Sequence, residues 1–254
     1  MHRKITDWGG NIVALTVLLV FNGLANSLPL GGQTTGQVSA KYPALFVPAG
    51  YVFAIWGLIY VGLIAYVIYQ ALPAQRDNPR LASISQPFVA NCIANALWLV
   101  AWHYDQLGLS VTLMLAILVT LIMIYRRLDI GRGSVPVAEV WFVHVPFSIY
   151  TGWITVATIA NLSALQWSAG HANAFVDETV WTMFKIAVAG ATAATLLFRR
   201  RDVAYLLVVV WACAGIAVKQ VTAPAVIGAA LTAAALGILL ILAEFMSRSG
   251  RSAT

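Results

Sequence analysis

The side chains able to do chemistry are few in this 254-residue chain, and most sit inside apolar runs. Asn91, Asn95, Trp98 and Trp102 recur at i, i+4, i+7 and i+11, one face of a helix. Two amides and two indoles on one stripe are costly to show to lipid, so the stripe should face protein or a cavity. In one reading the asparagines bond a neighbouring helix; in the other the stripe lines a ligand pocket. "FVPAGYVFAIWGLIYVGLIAY" puts Phe53, Trp56 and Tyr60 on a shared face. "WFVHVPFSIYTGWITVATIAN" puts Tyr150, Trp153 and Ala157 together, and His144, Ser148, Thr151 and Thr155 in a polar stripe on the other side. Pro146 should kink or open this helix. Aromatic faces from three helices could line a pocket for a flat, largely apolar ligand, since each indole offers a stacking surface and one donor. An aromatic-packed core, or a belt at the membrane interface, is the alternative.

Other residues invite other chemistry. His144 has the type of a haem ligand, or of a core histidine bonded to a neighbour. Lys185 lies deep in an apolar run, with Glu178 on the same face but about 10 Å away along the axis. A proton or ion path fits that pair, as does snorkelling or pairing with another helix. Leu121, Tyr125 and Arg127 satisfy a loose cholesterol-contact pattern. Cys92 and Cys213 read as small core hydrophobes. No Ser-His-Asp constellation, metal-ligand spacing, phosphate loop or nucleotide-binding domain is legible, so no catalytic group is firm, no metal or cofactor is required, and primary active transport by this chain alone is not expected.

The elements that must hold these residues follow from composition. The chain is 61% hydrophobic and 9% charged, with a mean hydropathy of +0.83. That excludes a soluble enzyme, a disordered chain and a nucleic-acid binder, and its long apolar runs exclude an outer-membrane barrel. The expected fold class is all-α: a polytopic integral membrane helical bundle of about eight transmembrane helices, near 11–29, 50–71, 86–103, 107–125, 137–163, 177–198, 203–219 and 223–246.

With an even number of spans the termini share one side, and 12 of the 15 basic residues fall there: Arg3, Lys4, Arg76, Arg80, Arg126, Arg127, Arg132, Arg199, Arg200, Arg201, Arg248 and Arg251. The positive-inside rule then puts both termini in the cytoplasm and explains the net charge of +6 by orientation and anionic lipid, not nucleic acid. Seven of the nine Trp precede residue 168, whereas alanine and glycine dominate beyond it. Hence 1–168 reads as one transmembrane domain and 169–254 as a three-helix extension. Its small residues should pack helices within the chain or at a homodimer or larger complex interface.

Residues 11–167 resemble the translocator protein/tryptophan-rich sensory protein family (TspO/MBR), whose loop and second helix carry W-x-P-P-x-W-x-F-x-x-x-W-x-x-L-Y. Here Phe46 stands at the first Trp, Pro48 matches, Ala49 replaces a Pro, Tyr51 replaces a Trp, and Trp56 and Tyr60 match with one residue fewer after Phe53. The family's N-x-x-W appears as Asn95 and Trp98, and its W-x-x-x-A-T-x-x-N as Trp153, Ala157, Thr158 and Asn161. The resemblance implies a five-helix core, a pocket closed by the first long loop, and a porphyrin, haem-type tetrapyrrole or sterol as ligand. Three further helices would then be added to the usual five. It also implies that Trp56 and Trp153 correspond to a pair implicated in light-dependent porphyrin breakdown in some bacterial members.

The reading that follows is a TspO-like receptor, carrier or sensor in a bacterial inner membrane, binding a hydrophobic planar ligand. Its pocket is expected to use Phe46, Pro48, Tyr51, Trp56, Tyr60, Asn95, Trp98, Tyr150, Trp153, Ala157 and Asn161. The alternatives are a secondary transporter routed through Lys185, Glu178 and His144, a porphyrin-degrading activity at Trp56 and Trp153, and a structural subunit of a membrane complex.

Overall fold

Helix α1 (Ile5–Ser27) opens a computed structural model that describes residues 3–27, 32–173 and 175–251. The end of the first expected span, and the side chains of Arg248 and Arg251, lie outside the described residues. Among those described, the chain is all helical: α2 (Thr35–Ala40), α3 (Ile55–Ala71), α4 (Pro79–His103), α5 (Leu107–Arg127), α6 (Val137–Ser168), α7 (Glu178–Arg200), α8 (Val203–Lys219) and α9 (Pro224–Arg251). The protein is a polytopic helical membrane bundle.

Among the described residues seven helices are long and apolar enough to cross a membrane. The remaining expected span, 203–219, is α8, whose 17 residues make about 25 Å at 1.5 Å per residue, short of a hydrocarbon core of about 30 Å. Helix α4 starts seven residues before the expected 86, because Asn78 caps Arg80 N–H and Pro79 suits a first-turn position whose N–H is unpaired anyway. Pro146 acts as expected on α6. A proline cannot donate to the carbonyl four residues back, and a π-turn over Val140–His144 absorbs the misfit just before it.

Packing falls into two connected cores. One joins α1, α3, α4, α5 and α6; the other joins α7, α8 and α9, with Phe46 and Val156 added from the first loop and from α6. Helix α3 meets α6 closely at Gly62, where a Cβ would lie 3.0 Å from Pro146 Cβ. The polar stripe of α6 is used against α8: Ser148 donates to Asp202 (2.8 Å) and Tyr205 donates to Thr155 (2.8 Å).

The basic connections share one end. Arg3 N–H donates to Arg76 O (3.1 Å), Arg80 pairs with Glu139 (2.7 Å), Arg200 with Asp129 (3.0 Å) and Arg201 with Glu244 (3.4 Å). At the opposite end Lys41 pairs with Asp105 (2.7 Å), and Leu45 N–H donates to Glu178 (2.8 Å). The cholesterol-contact pattern does not survive folding. Leu121 and Tyr125 are buried, and Tyr125 donates to Asp202 (2.7 Å), so neither presents itself to lipid.

Candidate functional site

The three aromatic faces converge. Trp56 from α3 stacks on Tyr60 and on Trp98 of α4, with centroids 5.5 and 5.9 Å apart. Trp98 in turn stacks on Trp102 at 6.1 Å. From α6, Tyr150 and Trp153 meet Trp56 edge-on at 6.0 and 6.3 Å, and Phe53 caps Trp153 edge-on at 5.7 Å. Aromatic rings prefer these offset and edge-to-face geometries, which give the box a defined shape. Pro48, Ala157 and Asn161 line the same cavity, as do Thr35, Ser39 and Met114.

Polar groups in the box are unevenly served. Asn95, fully buried, donates to Tyr150 Oη (2.6 Å), while its Oδ1 has no partner. The indole N–H groups of Trp98 and Trp153 are buried without a hydrogen-bond acceptor among the described residues. By contrast Trp102 donates to Thr35 O (3.2 Å), and Asn161 accepts from Ser110 (2.9 Å). Asn91 leaves the stripe's common purpose, donating to Ile117 O (3.2 Å) and Thr120 (2.9 Å); it ties α4 to α5. Tyr60 donates to Asn22 of α1.

Five expected pocket residues do not line the cavity: Tyr60 and Tyr150 pack on Trp56, Asn95 bonds Tyr150, and the other two lie elsewhere. Phe46 is buried in the core of α7–α9, because the first loop turns its apolar side toward those helices. Tyr51 is 47% exposed and packs edge-on against Trp211 of α8 at 5.3 Å. Nor do the residues of the transporter path meet. Lys185 donates to Ser163 (2.8 Å) and Gln166 (2.7 Å), Glu178 accepts from the first loop, and His144 lies 19 residues from Ser163 along α6, about 28 Å. His144 is buried outside the box, so it is not placed to ligate a group held there. Among the described residues no cluster of three His, Cys, Asp or Glu could hold a metal.

The first loop forms a lid over the box. Helix α2 is fixed by a reciprocal capping box, Thr34 with Gln37, the one sequence signal that could have revealed it. Beyond it, the chain is pinned to the C-terminal helices: Ala49 N–H donates to Gly215 O (3.0 Å), and Trp211 donates to Val52 O (3.2 Å). A Cβ at Gly215 would lie 2.1 Å from Val52 Cγ2, so only glycine lets the lid sit there. Under the lid the cavity is about 30 Å³, against about 300–1,000 Å³ for a pocket that encloses a drug-sized ligand. The site is closed.

A family model described as TSPO-like protein matches residues 7–243. The chain belongs to the TSPO-like family. The match runs past the motif-bearing stretch and through the first 20 of the 28 residues of α9, so α7 and α8, which hold the lid, are within the matched region. Searches of curated proteins and of solved structures returned no match.

Outside the membrane, Lys41 Nζ and Tyr42 Oη both donate to Asp105 (2.7 Å each) and latch the lid to the α4–α5 turn. The Lys41 hydrogen bond holds the Asp105 carboxyl below its usual value. Burial, with the Asp105 hydrogen bond, pushes the Tyr42 phenol up to about 12, so its proton stays available. A lowered carboxylate stabilises above its unfolded value of about 3.9 and loses that contribution as pH falls through the folded value. The latch is therefore expected to hold through the neutral range and to fail only in acid. Asp105→Asn at neutral pH should speed amide exchange over residues 35–47 by about two- to fivefold, since a half-exposed ion pair contributes at most about 1 kcal/mol. Unchanged exchange by mass spectrometry would mean that Asp105 does not hold the lid.

Proposed function

We propose that this TSPO-like membrane protein is a receptor or carrier for a flat, largely apolar ligand, a porphyrin or related tetrapyrrole, bound against Trp56, Trp98 and Trp153. The observation that carries this reading is that Trp98 and Trp153, which line the cavity, both have buried indole N–H groups with no acceptor among the described residues, while the buried Asn95 Oδ1 on α4 is also unpartnered. Buried polar atoms normally have partners, and each orphan costs about 1–3 kcal/mol. Polar atoms on the rim of a flat ligand would satisfy them while its faces stack on the indoles.

Entry requires the lid to lift and Phe53 to leave Trp153, a gating movement of the kind that loops make over closed sites. The arginine-rich end is taken as cytoplasmic, as the positive-inside rule directs, with the bilayer a bacterial inner membrane and the lid on its far side. Lys41, Asp105 and Glu178 are then the charged groups at the entrance.

The test is a protoporphyrin IX titration of the detergent-solubilised protein, followed by tryptophan quenching. Saturable quenching is expected. The variant Trp98→Phe/Trp153→Phe keeps the aromatic surface but removes both donors, and should weaken binding about tenfold or more, the scale of two hydrogen bonds. Non-saturable quenching, or affinity indifferent to the double change, would overturn the reading.

A further inference from the structure

A second and larger site lies on the flank of the bundle. Between α3, α6 and α8 the surface opens into a groove of about 1120 Å³ that shares no lining residue with the aromatic box. Its walls are apolar and strongly exposed: Leu58 is 56% exposed, Leu207 51%, Trp211 40% and Trp141 64%. In a membrane such walls face acyl chains. The depression runs along α8 from Val203 to Trp211, about 12 Å, long enough to take part of an acyl chain.

One end of the groove is polar and basic. Arg200 and Arg201 line it there. Arg200 makes its hydrogen bonds through Nη1, which donates to Asp129 (3.0 Å) and to Ile130 O (3.0 Å), and its guanidinium lies over the Tyr125 ring at 5.4 Å; its Nε and Nη2 make no hydrogen bond among the described residues. Arg201 is 46% exposed and reaches Glu244 only at 3.4 Å. The Asp202 carboxylate beside them is already occupied, by Tyr125, Ser148 and the Tyr205 N–H. The charged side chains that line this end are Arg200, Arg201 and Asp202, two cations to one anion.

A further polar group points the same way. His144 lines the groove, is only 5% exposed, and its Nε2 has no hydrogen-bond partner among the described residues. An aliphatic ligand alone would leave it unserved. A ligand with a polar, anionic head and an apolar tail matches the arginines, the imidazole and the walls.

We propose that this groove holds one anionic phospholipid of the surrounding bilayer, its phosphate on Arg200 and Arg201, its glycerol region at His144, and an acyl chain between α3 and α8. Basic pockets between helices near a membrane surface bind anionic head groups in this way. Because α8 also grips the lid through Gly215 and Trp211, the lipid would brace the helix that keeps the box closed.

The test is native mass spectrometry of the delipidated full chain, offered dioleoyl phosphatidylglycerol or dioleoyl phosphatidylcholine. One phosphatidylglycerol should be retained at least about tenfold better than phosphatidylcholine. Arg201→Gln should reduce that preference, and Arg200→Gln/Arg201→Gln should bring it to parity. Ala204→Trp, which fills the groove without touching a charge, should remove the bound lipid altogether. The box variant Trp98→Phe/Trp153→Phe should retain it, which separates this site from the tetrapyrrole reading. Equal retention of both lipids by the unmodified protein, or a phosphatidylglycerol adduct that survives both the double arginine change and Ala204→Trp, would overturn the proposal.

Discussion

Trp153→Ala is expected to destabilise the protein by about 3–5 kcal/mol, the usual cost of truncating a large buried aromatic. Trp153 is 2% exposed and sits where the lid meets the bundle, with Phe53 edge-on above it and Trp56 edge-on beside it. Truncation removes both contacts, and the stiff rings around it cannot collapse into the space. Trp153→Phe keeps most of the volume and should cost under about 1.5 kcal/mol while still losing the donor. Thermal unfolding in detergent measures both. A loss below about 1 kcal/mol for the alanine variant would show that the box repacks freely and is not a preformed site.

Glu139→Ala should cost about 3 kcal/mol by a different route. Glu139 is fully buried at the start of α6, where it accepts two hydrogen bonds from Arg80 (2.7 and 2.8 Å) and one from Asn78 (3.1 Å). This bidentate pair joins the first turns of α4 and α6. Removing one partner of a buried pair costs about 3–5 kcal/mol because the other is left uncompensated. The low end applies because the Arg80 side chain is 40% exposed and can swing toward solvent. Glu139→Gln, which keeps an acceptor, should cost less than Glu139→Ala. Equal unfolding temperatures for the unmodified protein and Glu139→Ala would show that the pair contributes nothing.

The sequence made the bundle legible because lipid forces long apolar runs, and the arginine bias located the turns between them. It also revealed most of the box, since Asn95, Trp98 and Trp102 share one α4 face and Trp56 and Trp153 fall in motifs with defined spacing. A loop closing the pocket was expected from the resemblance alone, and its internal structure was not legible. Helix α2 is six residues long and leaves no hydropathy signal, and Phe46 and Tyr51 can be assigned to a cavity or to a neighbouring helix only once α8 is placed. Gly215 read as one more small residue, although its missing Cβ is what admits Val52. A division of the chain near residue 168 follows its composition, yet the lid crosses that division through Leu45, Ala49 and Val52.

That crossing gives the C-terminal helices a role in the account. They hold the first loop over a box whose two indole donors and one amide acceptor face no partner. The most direct test is a structure of the protein with protoporphyrin IX bound. The account predicts the macrocycle against Trp56, Trp98 and Trp153, with the lid displaced from Gly215 and Phe53 moved off Trp153. A macrocycle seated in the α3–α6–α8 groove instead, with the box still closed at about 30 Å³, would contradict it.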